Sequence, residues 1–334
     1  MARRRAQALF DLSAGFVYSQ IAYACVTSGL LDRLAQGPVA IDDLTRVVDL
    51  DVSGTERLVK AAVALKLSEA AGGGRYALGV EGAALRGAPG VAAMIDHHRL
   101  LYADLADPMA LLRRGGGGGA LSAYWPYAEG HDVGPGTDGA GPYSGLMSAS
   151  QAMVAAQVLA AYPIGRHRRM MDVGGGEGTF LRAVGDHAPG LDLSLFDLPP
   201  VAERARARFA AEGRAVAVTG GSFFTDPLPR GPDAISLVRI LHDHDDDKAM
   251  VLLRAVRAAM EPGHTLLIAE PMAQVRGAER VGDAYFGLYL LAMGSGRPRS
   301  VAEIRSMLKD AGFARSREVA TPLPMIASLI VATA

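Results

Sequence analysis

The chain has 334 residues, the length of two ordinary domains, and half of them are hydrophobic, enough to bury a sizeable core. A formal net charge of −1 gives no electrostatic case for a nucleic-acid partner, and the single cysteine, Cys25, excludes an intramolecular disulfide framework and suits a cytoplasmic location. No run of 18 consecutive apolar residues occurs, which argues against a membrane span, and Arg3-Arg4-Arg5 lacks a following signal-peptide core. That basic start reads first as a solvated terminus and second as a weak contact with anionic lipid.

In chain order, Leu9, Phe10, Phe16, Val17, Ile21, Val26, Leu30, Leu31 and Leu34 recur at roughly helical spacing and predict a helix over 7–35. It is apolar around much of its circumference, so it needs cover on more than one side, and a homodimer would supply it. Ser53 and Glu56 form a capping-box pattern ahead of Leu58, Ala61, Ala62 and Leu65. Residues 67–71 and 75–78 flank Gly72-Gly73-Gly74 as a short hairpin, which completes a winged-helix layout. Its would-be recognition helix offers only Arg57, Lys60 and Lys66, so the layout reads as a dimerisation domain rather than a DNA-binding one.

Residues 91–164 read as interrupted helices, with flexible loops at the five-glycine run 115–119 and at 130–141. Tyr124, Trp125, Tyr127, Tyr143, Met147 and Met153 are of types usually found in a core; beside a ligand-binding half, Trp125 and Met147 become candidates for a substrate pocket. His97 and His98 are neighbours that point apart on a helix and read as structural. From about 166 the pattern alternates. Strands are expected at 168–173, 192–197, 215–218, 233–239 and 264–269, helices at 179–187, 200–211, 246–260 and 301–311, and two extended stretches at 314–319 and 325–332. This predicts an α/β, doubly wound, Rossmann-like sheet, with a division into 1–90, 91–164 and 165–334.

The second half is organised around Asp172-Val173-Gly174-Gly175-Gly176-Glu177-Gly178, a strand, a glycine turn and a helix start. Glycine permits φ > 0 and close approach of a ligand to the backbone, and the helix start offers free N–H groups. Asp197 ends the next apolar run, where an acid can accept hydrogen bonds from both hydroxyls of a ribose. Together these resemble the S-adenosylmethionine (SAM) site of class I methyltransferases. After the fourth strand come Arg239 and then His242-Asp243-His244-Asp245-Asp246-Asp247. Histidine is the natural base near neutral pH, and Glu270, ending the adjacent strand, is placed to hold its ring. A metal reading of His242-x-His244-x-Asp246 is the competitor. It is disfavoured because the motif follows a SAM-type turn and because Asp245 to Asp247 fit the cap of the next helix.

The order of the glycine turn, Phe196-Asp197-Leu198-Pro199, Gly221-Ser222-Phe223-Phe224, Leu241-His242-Asp243, Ala269-Glu270-Pro271 and Ala311-Gly312-Phe313 resembles the plant-type, hydroxyindole-type O-methyltransferases. The resemblance implies an intertwined homodimer and SAM as cofactor, with no metal. It implies that Asp172, Gly174 and Gly176 line the SAM tail, Asp197 holds the ribose, Ser222 and Phe223 flank the adenine, Arg239 lies by the cofactor, and His242 is the base with Glu270 behind it. This chain departs from the family at Ser222, where an aspartate is usual, at His244, where tryptophan is usual, and in Gly296-Arg297-Pro298-Arg299-Ser300, which lacks a second glutamate.

Tyr124-Trp125-Pro126-Tyr127, His242-Asp243-His244-Asp245-Asp246 and Tyr289 through Arg299 resemble a bacterial branch of that family that methylates the tertiary hydroxyl of acyclic carotenoids. That implies a hydrophobic acceptor, with Phe286, Tyr289 and Met293 on the wall of its channel, and transient docking at the membrane surface. A phenolic or polyketide acceptor is the first rival reading; a SAM- or ligand-binding regulator without turnover is the second.

Overall fold

The computed structural model describes residues 2–124 and 140–334, which form two compact units, 1–99 and 100–334. In the first unit, α1 (Ala2–Thr27) and α2 (Leu30–Leu34) replace the single helix expected over 7–35. Gly29 stands between them at φ 73°, a left-handed conformation that ends a helix. The strand β1 (Val39–Ala40) follows, then α3 (Ile41–Val48), α4 (Val52–Ala64), β2 (Ser68–Gly72), β3 (Arg75–Leu78), α5 (Val80–Arg86) and α6 (Pro89–Asp104), within which the unit boundary falls. The strands pair in the order β1-β3-β2, giving the wing one strand more than the hairpin expected. The cap of α4 is Asp51, whose carboxylate accepts from Gly54 N at 2.6 Å. The box expected at Ser53 and Glu56 therefore lies inside the helix, and Glu56 pairs with Lys60 instead.

Leu30, Leu34, Val39, Leu44, Val59 and Ala62 close the core of this unit around Cys25, whose thiol burial pushes up to about 12. The N-terminal half of α1 is left uncovered, with Leu9 67 %, Phe10 62 %, Leu12 73 % and Phe16 71 % exposed. By length and composition alone, the Arg3–Thr27 stretch of α1 is long and apolar enough to cross a membrane, although Gln7, Asp11, Ser13, Ser19 and Gln20 interrupt it.

The second unit opens with the helices α7 (Pro108–Arg113), α8 (Ala120–Tyr124) and α9 (Ala140–Ala161). The glycine run between α7 and α8 is a packed seat, not the flexible loop expected. Gly117 N donates to Leu291 O at 2.9 Å, and a Cβ on Gly116 would stand 2.4 Å from the same oxygen. The carboxylate of Asp104 then accepts from Ala120 N and Leu121 N, which fixes the start of α8.

The sheet follows as β4 (Arg169–Val173), α10 (Thr179–His187), β5 (Asp192–Asp197), α11 (Pro199–Ala211), β6 (Val216–Gly220), β7 (Ala234–Val238), α12 (Asp246–Ala259), β8 (Thr265–Glu270), α13 (Gly287–Met293), α14 (Val301–Asp310), β9 (Arg315–Val319) and β10 (Ser328–Thr333). The order is β6-β5-β4-β7-β8-β10-β9; β4 to β8 pair in parallel, and β10 is antiparallel to β8 and β9. The central strands β7 and β8 are apolar at nearly every position and buried throughout, as a sheet covered on both faces requires. One face packs on Leu252, Leu253 and Val256 of α12 and Ile304 and Leu308 of α14, the other on Val158 of α9, Phe180 and Leu181 of α10 and Phe209 of α11.

Candidate active site

The parallel strands all end on one edge, and the sequence-predicted residues stand along it: Asp172 on β4, Asp197 on β5, Ser222 and Phe223 after β6, Arg239 and His242 after β7, and Glu270 on β8. Ligands of doubly wound sheets bind beyond this edge. Gly174 at φ 71° and Gly176 at φ 58° make the turn after β4, and a side chain at Gly176 would meet nothing within 4 Å, so the backbone is open there. Asp197 is part of that turn: Oδ2 accepts from Gly176 N and Oδ1 from Leu198 N, both at 2.7 Å. Burial nevertheless raises this carboxyl to about 6, against those two donors.

Asp172 is deeper. Its Oδ1 accepts from Ser236 Oγ at 2.5 Å, and its Oδ2 is buried with no hydrogen-bond partner among the described residues. Burial pushes this acid up to about 7. At the far end, Ser222 N donates to Asp226 Oδ2, and the rings of Phe223 and Phe224 meet edge to face, each also against His244. His244 is thereby built into an aromatic cluster. Burial holds its ring at about 4, so it is uncharged at neutral pH.

Arg239 adopts φ 60°, rare for a residue with a Cβ, with its N–H on Ala269 O and Nη1 on Ser150 Oγ at 2.6 Å. This strained residue leads into a 3₁₀ turn, Leu241–Asp243, on which His242 is only 3 % exposed. Burial, reinforced by Arg239, His244 and Arg299, holds the His242 ring well below the usual histidine range. The expectation that Glu270 holds this ring meets a different geometry. Glu270 Oε2 accepts from the His242 backbone N–H at 3.1 Å, and the group facing the ring is Asp243, with Oδ1 3.3 Å from Nε2. His242 Nδ1 and Glu270 Oε1 are both buried without a hydrogen-bond partner among the described residues. Burial raises Glu270 to about 7 and Asp243 to about 8.

A π-helical turn, Arg280–Phe286, runs into α13 and presents an aromatic wall. The Phe286 ring lies 5.8 Å from that of His242, Tyr285 stacks on Tyr289, and Tyr289 and Met293 are buried beside Leu111 and Leu121. Trp125 lies outside the described residues, as does the side chain of Met147. Two functional candidates escaped the sequence reading, Asp243 and the fully buried Arg299. The first is adjacent to His242, and the second sits in the segment already marked as a departure.

Among the described residues, no three or more His, Cys, Asp or Glu side chains are grouped to hold a metal ion. Asp245 does occupy the N-cap position of α12, but it makes no cap bond; its carboxylate accepts from Gly296 N, while Asp246 binds Arg297 and Arg299.

Residues 137–314 match the O-methyltransferase domain family. The demethylspheroidene O-methyltransferases of Cereibacter sphaeroides and Rhodobacter capsulatus are each 42 % identical to this chain over 99 % of its length, covering 87 % and 82 % of theirs. Human N-acetylserotonin methyltransferase, solved with SAM, shares the fold at a TM-score of 0.81 and 24 % identity, over 98 % of this chain and 97 % of its own. The family match takes in more than half of the chain, and two relatives align with it over nearly its whole length: the chain belongs to the O-methyltransferase family.

Proposed function

We propose that the chain transfers the methyl group of SAM to a hydroxyl of a hydrophobic acceptor, the tertiary 1-hydroxyl of an acyclic carotenoid of the demethylspheroidene type. The observation that carries this is a buried, uncharged histidine set against an aromatic wall, His242 beside Phe286, on which Tyr285 and Tyr289 pack in turn. The acceptor class rests on the names of the two long-matching relatives.

The residues at the sheet edge fit SAM. The turn is open at Gly176, which admits a chain close to the backbone, and the unpartnered, buried Oδ2 of Asp172 can accept from an ammonium group. In this reading Asp197 at the end of β5 takes the ribose, Ser222 and Phe223 after β6 flank the adenine, and Arg239 after β7 lies by the cofactor. SAM supplies an activated methyl group whose departure leaves a neutral thioether.

His242 is the general base. Its ring is neutral at physiological pH, so it accepts a proton without first losing one. A tertiary alcohol is far less acidic than a phenol, so the proton leaves while the new carbon–oxygen bond forms, not before. Asp243 Oδ1, 3.3 Å from Nε2, can accept from the imidazolium that results, and that proton passes to solvent once the product leaves. Holding the hydroxyl against the ring, with water excluded by the wall, supplies much of the remaining rate.

The uncovered apolar face of α1 supports a homodimer in which a second copy covers it. A carotenoid acceptor also requires transient contact with a membrane surface. The test is methyl transfer from labelled SAM to a 1-hydroxy acyclic carotenoid in detergent, beside a panel of phenols, for wild type and His242→Ala. Label in the carotenoid that vanishes in the variant supports the reading. Label in phenols alone refutes the acceptor, and undiminished label in the variant refutes the base.

A further inference from the structure

Every main-chain carbonyl from Leu241 to His244 is met by a donor from one short segment, residues 295–299. Arg299 Nη1 donates to Leu241 O at 2.8 Å, the Arg297 backbone N–H to His242 O at 2.9 Å, Ser295 Oγ to Asp243 O at 2.9 Å, and Arg299 Nη2 to His244 O at 2.7 Å. Arg299 is wholly buried, and its guanidinium is held by Asp246 Oδ1 through Nε at 2.9 Å and Nη2 at 2.7 Å. Arg297 takes the other oxygen of Asp246 at 3.0 Å and Glu303 at 2.8 Å. The two backbones run so close that a Cβ on Gly296 would stand 2.1 Å from His242 O.

Sinking a guanidinium this far is costly unless its donors are met, and simple saturation of four carbonyls would not call for an arginine. What a planar, five-donor fork adds is direction: it binds two carbonyls and a carboxylate at once, so the turn has one place to be. The segment also begins where α13 ends, at Gly294 in the left-handed conformation. It thus joins the helix that carries Tyr289 and Met293 to the turn that carries His242. From the other side, Glu270 accepts from the His242 N–H.

We propose that Arg299 is the positioning residue for His242, and that the 295–299 clasp ties the histidine turn to the acceptor wall so that ring and acceptor hydroxyl keep one separation. This rests on the reading of His242 as the base. Among the described residues no hydrogen bond or ion pair joins the clasp to the glycine turn or to Asp197, whose carboxylate is held by Gly176 N and Leu198 N, so its loss should change turnover more than SAM binding.

The experiment compares wild type, Arg299→Lys, Arg299→Ala, Ser295→Ala and His242→Ala. For each, kcat, acceptor KM, SAM Kd by calorimetry and melting temperature are measured. Arg299→Lys keeps the charge and loses the fork. Its kcat is expected to fall by about 10-fold or more and that of Arg299→Ala by about 100-fold, the cost of a misplacement on the order of 1 Å. SAM Kd stays within about threefold in both. Added guanidinium ion restores part of the kcat of Arg299→Ala and none of that of His242→Ala. If Arg299→Ala does not fold, Arg299→Lys and Ser295→Ala decide, each expected to lose kcat when assayed well below its own melting temperature, where it is fully folded. Full kcat in both overturns the proposal, as does a loss that merely follows the folded fraction. His242→Ala separates the two readings: turnover surviving there overturns the base itself, whereas an inactive His242→Ala beside fully active clasp variants overturns only the clasp.

Discussion

Asp172→Asn keeps the shape of a buried side chain and removes its charge, so it should stabilise the SAM-free protein while weakening SAM binding. The aspartate titrates near 3.8 in an unfolded chain, and burial raises it to about 7 in the fold. Between those values the folded state holds a proton that the unfolded state has released, so the wild type loses stability as pH rises through this window. The span from 3.8 to about 7 corresponds to about 4 kcal/mol at 1.36 kcal/mol per pH unit, an upper figure because the ionised site relaxes. The variant has no such loss, and its Oδ1 still accepts from Ser236. Its advantage should therefore be small at pH 4 and rise to at most about 8–16 °C in melting temperature at pH 8, at roughly 2–4 °C per kcal/mol for a unit of this size. Scanning calorimetry of both proteins without SAM at the two pH values measures the gap, and titration calorimetry should show SAM bound about 10-fold more weakly or worse. A gap that is the same at both pH values, or that closes as pH rises, refutes the argument.

His242→Ala should lower kcat by about 100-fold or more with SAM Kd within a few-fold, read by label transfer and calorimetry. Because the ring's proton affinity is depressed, titration of His242 should not set the acid limb of wild-type kcat at the ordinary histidine value; a half-fall at about pH 6.5 that disappears in no other variant than His242→Ala would contradict the buried, neutral ring. Asp197→Ala should weaken SAM by about 10-fold or more, since it removes both the proposed ribose acceptor and the brace on Gly176 N; unchanged calorimetric affinity counts against the ribose role. Dialysis against EDTA should leave methyl transfer intact, because Asp245 and Asp246 are already engaged by Gly296, Arg297 and Arg299; inhibition reversed by Mg²⁺ or Zn²⁺ refutes this.

Most of the second unit was legible because each of its elements carries its own period. Strands such as β4, β5, β7 and β8 came out within a residue or two, and so did the acids at their ends. What escaped depends on partners far away in the chain. The glycine run reads as flexible until Leu291, more than 170 residues on, takes the Gly117 N–H. Ser53 and Glu56 make a plausible box, but Asp51 reaches the free N–H groups of α4 first. Glu270 could be assigned to the His242 ring by proximity, yet whether it meets ring or backbone depends on the 3₁₀ turn, which no periodicity announces. Arg299 was invisible as a buried residue because arginine is so rarely one.

Cys25, finally, makes the N-terminal unit report on itself. It is the chain's single thiol, it has no exposed surface, and its raised proton affinity leaves almost no thiolate in the folded state. An alkylating reagent therefore reacts only when that unit opens, so the labelling rate counts its opening events. The stability of that unit can be followed during turnover without introducing a probe.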